Sequence, residues 1–160
     1  LKLSRGLGDV YKRQVYVDYA HTPEAIEVAL KSLKPHILGK LIVIIGAGGE
    51  RDEGKRPLMG LAAEKNSDFV IITDDNPRNE DPQLIHQMIK NGIKDKNKVM
   101  VIGDRAEAIL KAVDLLGVGD CLLIAGKGHE TEQFVGENIF PFDDFEQASL
   151  SVSSLDGIER

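Results

Sequence analysis

The chain has 160 residues, 42% of them hydrophobic, which fits one globular domain with one core. Its 26 acidic and 20 basic residues give a formal net charge of −6. This balance argues against a general nucleic-acid or membrane-surface binder, because such proteins usually carry a basic excess. The single cysteine, Cys121, cannot form an internal disulfide and is predicted to be a core residue. No apolar stretch approaches the ~20 residues of a membrane span and no signal peptide is visible, so a cytoplasmic protein is expected.

Strand and helix signals alternate along the chain. Apolar runs predict five strands, and helical spacing with capping residues predicts a helix after each of the first four and another near the end. Gly92 and Gly117 are predicted to stop the third and fourth helices. Short extended pieces are expected around Phe134 and Ile139. The predicted strands are 15–19, 41–45, 69–73, 99–102 and 121–125, and the predicted helices begin near Thr22, Pro57, Asp81, Asp104 and Asp144.

This alternation predicts an α/β fold, with a mostly parallel sheet covered by helices on both faces. In such a sheet, ligands bind beyond the carboxyl ends of the strands. The loops that follow the strands are therefore the place to look for a site.

Four of the five predicted strands are followed by loops rich in polar residues or glycine. The fourth strand differs, because Gly103-Asp104-Arg105 has the pattern of an ordinary capped turn. Polar loops gathered at one edge of a sheet predict a polar cleft there. The four loops are Asp18-Tyr19-Ala20-His21-Thr22-Pro23, Gly46-Ala47-Gly48-Gly49-Glu50-Arg51-Asp52, Asp74-Asp75-Asn76-Pro77-Arg78 and Gly126-Lys127-Gly128-His129-Glu130.

Common phosphate-binding and metal-binding patterns do not fit these loops. The dinucleotide pattern Gly-x-Gly-x-x-Gly fails at Arg51, which occupies the third glycine position, and no phosphate loop ending in Gly-Lys-Ser/Thr is present. His21, His129, Asp18 and Glu130 have no compact metal-ligand spacing. If this protein uses ATP, another domain must cradle the phosphates.

The charged residues fit a zwitterionic ligand. Arg78 is not required by a turn, and its side chain suits two-pronged recognition of a carboxylate. Glu130 supplies the opposite charge beside two glycines. A salt-bridged surface is the alternative that these residues leave open, and capping of the next helix is the alternative for Asp18 and His21.

Taken together, the four loops resemble the third, C-terminal domain of the Mur ligases, and the resemblance covers roughly residues 15–150. It implies a Rossmann-like domain. The short motif Asp75-Asn76-Pro77-Arg78 is similar to the one with which the diaminopimelate-adding members recognise their amino acid. The matching stretches, in the family's order, are 17–23, 48–57, 73–78 and 125–130.

The resemblance also implies roles for individual residues. Asp18 and His21 would lie at the nucleotide, near the ribose and adenine, and no catalytic residue or metal ligand is assigned. The residues that would contact meso-diaminopimelate are Arg51, Asp75, Asn76, Pro77, Arg78, Gly126 and Glu130.

The implied activity is ATP-dependent amide formation in peptidoglycan precursor synthesis. Meso-diaminopimelate would be joined to UDP-N-acetylmuramoyl-L-alanyl-D-glutamate, and the UDP-linked substrate, ATP phosphates and Mg²⁺ would be held mainly by domains outside this chain. The chain alone is therefore expected to be inactive. Neither nucleic acid nor a membrane is an expected partner. The alternatives are a lysine-adding ligase, another muramoyl or folylpolyglutamate-type ligase, and a non-enzymatic nucleotide-binding module.

Both ends depart from the resemblance. Residues 1–14 show no periodicity and are expected to be a non-native or disordered lead, and residues 151–160 are a polar tail. The domain itself is predicted to span residues 15–150.

Overall fold

The computed structural model describes residues 2–5 and 13–156. The strands are β1 Lys2–Arg5, β2 Arg13–Asp18, β3 Leu41–Ile45, β4 Phe69–Ile72, β5 Val99–Val101, β6 Cys121–Ala125, β7 Glu132–Val135 and β8 Asn138–Pro141. The α-helices are α1 Pro23–Leu33, α2 Lys55–Asn66, α3 Pro82–Asn91, α4 Arg105–Leu115 and α5 Asp144–Asp156, and short 3-10 helices lie at Lys34–His36 and Lys96–Lys98.

Six of the described strands form one sheet, in the order β1-β2-β6-β3-β4-β5. The five strands from β2 to β5 in that order are parallel, and β1 pairs antiparallel with β2 at the edge. The register aligns the carboxyl ends, since Asp18 lies opposite Ala125 and Ile45 opposite Ile72. The predicted α/β fold with a mostly parallel sheet is confirmed. The remaining strands, β7 and β8, form a separate hairpin.

The helices cover both faces of the sheet. Helices α1, α2 and α3 pack on one face, and α4 and α5 pack on the other. Strand β3 is buried along its whole length and divides its side chains between two cores: Val43 belongs to the first and Ile44 to the second. Cys121 is fully buried in the first core, as predicted.

The predicted caps form as expected. Thr22 Oγ1 accepts a hydrogen bond from the N–H of Ala25 at 3.1 Å, which begins α1. Asp81 caps α3 through the N–H of Gln83, and Asp104 caps α4 at 3.1 Å. Short polar side chains before an amphipathic run are a local signal, so their positions could be found in the sequence.

Gly92 follows the last residue of α3, as predicted, but it does not adopt the left-handed conformation that glycine often has at a helix end. Its φ of −79° lies outside the left-handed region, so glycine is not needed there for backbone conformation. A β carbon at Gly92 would instead lie 1.8 Å from the carbonyl oxygen of Pro57 in α2. Gly60 of α2 is similarly close to Ile89 of α3, at 2.1 Å from its carbonyl oxygen. The two glycines therefore allow α2 and α3 to pack in close contact.

The ends of the domain extend further than the predicted elements. Residues 2–5 pair with β2, and Arg13 and Gln14 lie within β2, although all of them belong to the predicted lead. At the other end, α5 continues to Asp156, beyond the predicted boundary at 150. The assignment of 1–14 as a separate lead and 151–160 as a tail stays a prediction, and residues 6–12 and 157–160 lie outside the described residues. Among the helices that the structure describes, none is long and apolar enough to cross a membrane.

Candidate functional site

A cleft of about 490 Å³ opens at the carboxyl edge of the sheet, where the four loops meet. Seven of the nine residues predicted for the site line it, and Asp18 and Pro77 are not among the lining residues. Lining residues that the sequence did not point to include Tyr19, Lys55, Arg56 and Met59. The predicted residues in the lining are His21, Arg51, Asp75, Asn76, Arg78, Gly126 and Glu130.

Arg78 has an uncommon backbone conformation. Its φ is +54°, in the left-handed region that disfavours residues other than glycine. The hairpin formed by β7 and β8 supports this conformation: the N–H of Arg78 donates to the carbonyl of Phe134 at 3.0 Å, and its own carbonyl accepts from the N–H of Gly136. The loop after β4 is thereby fixed to the hairpin on both sides of Arg78.

The guanidinium of Arg78 is only partly used by the protein. Its Nη1 donates to the carbonyl oxygens of Gly49, at 3.0 Å, and Asn76, at 3.4 Å. No hydrogen bond to another described residue uses Nε or Nη2. These two nitrogens form one side of the planar fork, which matches the two oxygens of a carboxylate. A carboxylate in the cleft could therefore bind Arg78 without displacing an existing contact.

Two acidic side chains supply the opposite charge. Asp75 is 8% exposed, and its Oδ2 lies so close to Gly126 that a β carbon there would be 2.7 Å away. Gly126 also has a φ of +118°, so both space and backbone conformation require glycine. Glu130 is half-buried in the same cleft. Neither carboxylate lies within ion-pair distance of another described residue, although both interact electrostatically with the buried cations Arg105 and Lys127.

Arg51 lies on the opposite loop, after β3. It is exposed, and its side chain passes Gly48, where a β carbon would be 3.3 Å from the Arg51 Cγ and 2.9 Å from Nη1 of Arg78. Gly48 thus lies between the two arginines and leaves room for both. The cleft thus combines the cations Arg51, Lys55 and Arg78 with carboxylates, among them Asp75 and Glu130, which is the arrangement expected for a zwitterion.

The loop after β2 forms the rim of the cleft. The rings of Tyr19 and His21 meet edge to face with centroids 4.7 Å apart, and His21 Nδ1 lies 2.8 Å from the carbonyl oxygen of Tyr19. Asp18 is exposed, and its Oδ2 accepts a hydrogen bond from the N–H of Ala20 at 3.1 Å. The helix cap is Thr22. Neither Asp18 nor His21 therefore caps α1, which was the alternative left open for these two residues.

Arg105 is one of the residues whose role the sequence interpretation missed. The turn at 103–105 is capped as predicted, but Arg105 is also fully buried and contacts three parts of the chain. It forms a two-pronged pair with Asp144 of α5, with both distances at 2.7 Å. It also donates to the carbonyls of Asp74, at 3.1 Å, and Ala125, at 3.0 Å. It therefore joins the loops after β4 and β6 at the base of the cleft.

The charge of Arg105 is stable in this setting. Burial acts to lower the pKa of its guanidinium, but the charge of Asp144 and the hydrogen bonds to it outweigh that effect and raise the pKa above its ordinary value. A permanent cation thus lies beneath the two loops.

Arg56 joins the loop after β3 to the loop after β4. It is 1% exposed and pairs with Glu80 through both terminal nitrogens, and Nη2 also donates to the carbonyl of Gly48 at 3.1 Å. Glu80 in turn accepts from the N–H of Glu50 at 3.0 Å. The loop after β3 is thereby held against the loop after β4.

Helical spacing contains a signal for both buried arginines. Arg105 has the same spacing from Ala108, Ile109 and Ala112 that core residues of one helix face share. Arg56 is related in the same way to Met59, Gly60 and Ala63. An arginine on the apolar face of a helix is seldom buried without a partner, so an arginine at each of these positions predicts a buried ion pair. The spacing gives no information on which acid is the partner.

Lys127 is a third buried cation. No role of its own is assigned to it from the sequence, yet it is fully buried, and its ammonium donates to Asn76 Oδ1 at 3.0 Å and to the carbonyl of Glu132 at 2.7 Å. Burial lowers the pKa of this ammonium below its ordinary value, and the nearby charge of Asp75 partly opposes the shift. Among the described residues, no group of three His, Cys, Asp or Glu side chains could hold a metal ion.

Known proteins are similar to this chain in sequence and in fold. The model of the family "Mur ligase, glutamate ligase domain" matches residues 7–128. The chain is 53% identical over 139 residues to UDP-N-acetylmuramoyl-L-alanyl-D-glutamate–2,6-diaminopimelate ligase of Coxiella burnetii, covering 87% of this chain and 28% of that protein. The ligase of the same name from Bradyrhizobium diazoefficiens is 51% identical over 140 residues, with 88% and 28% covered.

A solved structure agrees with these relatives. The structure of a UDP-N-acetylmuramoyl-L-alanyl-D-glutamate–2,6-diaminopimelate ligase superposes with a TM-score of 0.89 at 39% identity, over 97% of this chain and 31% of that one. The chain spans somewhat over a quarter of the length of the curated relatives that it matches.

Proposed function

This chain belongs to the Mur ligase family of glutamate ligase domains, and from that premise we propose that it is the C-terminal domain of an ATP-dependent ligase that joins meso-diaminopimelate to UDP-N-acetylmuramoyl-L-alanyl-D-glutamate. Such a reaction forms an amide bond in a peptidoglycan precursor. The activity would belong to the longer protein, because this chain spans 28% of relatives that carry the name. The share of this domain would be to bind and orient the amino acid.

The observation that carries the proposal is the unused side of the Arg78 guanidinium, in a cleft that is also lined by the carboxylates of Asp75 and Glu130. Meso-diaminopimelate has an ammonium and a carboxylate at each end. Nε and Nη2 of Arg78 would hold the carboxylate at the end away from the reaction, and Asp75 and Glu130 would take the ammonium beside it. Arg51 lies on the opposite loop and would add a second cation for a carboxylate.

Fixing the amino acid in this way would present its other amine to the substrate. Holding two reactants in the right geometry can contribute ~7–11 kcal/mol to a reaction of this type. The buried pairs formed by Arg56 and Arg105 support such a role, because they restrain the loops that carry the contacts. None of the described residues is proposed as a general base.

The nucleotide would lie at the rim formed by Tyr19, with His21 and Asp18 on the ribose and adenine side. The exposed ring of Tyr19 offers a face on which a base can stack. The phosphates and Mg²⁺ do not fit the described residues, which offer neither a phosphate loop nor a group of three metal ligands. These groups would be held by the remainder of the longer protein.

The test is a change of amino-acid preference in the ligase that contains this chain. Lysine lacks the far carboxylate, so it would leave the Arg78 guanidinium unpaired and would place an ammonium beside it. Sites built around a polar group can discriminate by ~10⁴ or more. Arg78→Ala should therefore reduce kcat/KM for meso-diaminopimelate severely and narrow its ratio to the value for lysine. Arg78→Lys should restore only part of the preference, because an ammonium cannot form the planar fork.

Lys31→Ala is a suitable control, since Lys31 is an exposed cation of α1 that pairs with Glu27. It should leave both values of kcat/KM where they were. If Arg78→Ala leaves the ratio between the two amino acids unchanged, Arg78 does not read the carboxylate. A wild-type ligase that prefers lysine would favour the lysine-adding alternative.

A further inference from the structure

Three segments that surround the cleft meet at the ammonium of Lys127. The side chain extends from the loop after β6 and is 0% exposed. Its Nζ lies 3.0 Å from Oδ1 of Asn76, in the loop after β4, and 2.7 Å from the carbonyl oxygen of Glu132, at the start of the hairpin. Lys127 is not among the residues that line the cleft. Any effect on a ligand must therefore pass through a neighbour.

That neighbour is Asn76, whose side-chain oxygen is used completely. Besides Lys127, the N–H of Phe134 donates to Oδ1 at 3.0 Å. An amide oxygen has two lone pairs, and both are then occupied. An ammonium and a peptide N–H can only donate, so they require the oxygen end of the amide to face them. The two ends of the Asn76 amide are thus distinguished by chemistry.

The nitrogen end is left for the cleft. Asn76 lines the cleft, and its Nδ2 forms no hydrogen bond with another described residue. We propose that Lys127 is a positioning residue, which holds the Asn76 amide with Nδ2 turned into the cleft as a donor for a carboxylate of the incoming amino acid. This inference rests on the proposed function for the identity of the ligand, but not for the orientation of the amide.

An ammonium is energetically unfavourable at this buried position. Burial lowers the pKa of Lys127, which means that the protein disfavours its charged form relative to water. A methionine has a similar length and would avoid that cost. A residue needed only for packing would therefore tolerate Lys127→Met, whereas a residue needed to orient Asn76 would not.

The kinetic test compares Lys127→Met with Lys127→Gln in the ligase that contains this chain. Lys127→Met should raise KM for meso-diaminopimelate about tenfold or more, the range expected when a hydrogen bond to a charged group is lost, and should leave KM for ATP unchanged. Lys127→Gln keeps an N–H donor and should recover part of the loss. Lys98→Met is the matched control, since Lys98 donates to the carbonyl of Glu64 at 3.2 Å, outside the cleft. It should change neither KM.

A double-mutant cycle separates positioning from general damage. If Lys127 acts through Asn76, then Lys127→Met should raise KM for meso-diaminopimelate no further in an Asn76→Ala background. Fully additive effects would overturn the inference. If Lys127→Met does not fold, Lys127→Gln carries the same cycle, and loss of folding in both would make Lys127 a folding residue and also overturn it.

A direct measurement on this chain distinguishes failure of the inference from failure of the proposed function. In the wild type, the side-chain amide of Asn76 should give one pair of NMR signals, and Lys127→Met should shift them. Unchanged signals would overturn the role of Lys127, whatever the amino acid is. Changed signals with an unchanged KM would remove its link to the ligand. Changed signals in a ligase that does not use meso-diaminopimelate would instead refute the proposed function.

Discussion

At the ends of β3, β4 and β6, backbone groups of the parallel sheet are satisfied by side chains of opposite charge at the two edges. At the carboxyl edge, cationic side chains donate to backbone carbonyls, and Arg105 does so to Asp74 and Ala125. At the amino edge, carboxylates accept from backbone N–H groups: Asp68 accepts from Leu41 at 2.8 Å, and Asp120 accepts from Lys40 at 2.7 Å.

The polarity of the peptide explains this difference. Parallel strands all begin at one edge and end at the other, so N–H groups that lack a partner gather at the first and carbonyl groups at the second. Carbonyls are best satisfied by donors, which brings arginine and lysine to the edge where ligands bind. The same cations favour an anionic ligand group. Cations that satisfy the strand ends therefore also prepare this edge for a carboxylate.

The largest change in the free energy of unfolding is expected when the buried pair of Arg105 and Asp144 at the carboxyl edge is broken. Arg105→Met would leave the carboxylate of Asp144 buried without a partner, at a cost of about 3–5 kcal/mol. The free energy of unfolding, measured with urea on this chain, should fall by that amount. Arg105→Met combined with Asp144→Leu should recover much of it, because no unpaired charge remains. A loss below about 1 kcal/mol in the single variant would mean that Asp144 is solvated.

A smaller effect is expected at the more exposed pair. Arg56→Met should cost about 2 kcal/mol, the scale of hydrogen bonds to a charged group, because water can still reach Glu80. The hydrogen bond from Arg56 and then the N–H of Glu50 lower the pKa of Glu80. A lowered carboxylate pKa adds stability above its unfolded value, near 4.3, and that stability is lost as pH falls through the folded value.

The direction of this pH dependence can be tested by measuring the unfolding free energy of the wild type and of Arg56→Met at neutral and at acidic pH. The difference in unfolding free energy between the two proteins should be largest at neutral pH and should shrink in acid, where Glu80 is protonated in both. A difference that grows as pH falls would contradict the assignment. Lys31→Ala, which removes an exposed pair partner on α1, should show little dependence in comparison.

The smallest change in the free energy of unfolding is expected for a substitution at the amino edge. Asp120→Ala removes acceptors for the N–H groups of Lys40 and Gly117, at 2.7 and 2.8 Å, and should cost about 1 kcal/mol because the site is open to water. Asp120→Asn keeps one oxygen and should cost less. Neither change should alter KM for the amino acid, since Asp120 lies at the edge opposite the cleft. A changed KM would show that the two edges are coupled.

The layered fold and the edge that carries the site could be predicted from the amino-acid sequence. Strand periods, apolar runs and capping residues such as Thr22 act over a few neighbouring positions, so they can be recognised without the structure. The polar loops could be assigned to one edge because parallel strands share their direction. The choice of Arg78, Asp75 and Glu130 as cleft residues followed from charge and from the family resemblance, and the structure places all three in the lining.

The contacts that hold these side chains in place could not be predicted in this way, because they join distant parts of the chain. Arg105 and Asp144 are separated by 39 positions, and Lys127 and Asn76 by 51, so no local pattern could pair them. The left-handed conformation of Arg78 likewise depends on the hairpin at Phe134 and Gly136, far along the chain. Buried cations find their partners through packing, because the cost of desolvation selects the one arrangement in which carbonyls and carboxylates surround each charge.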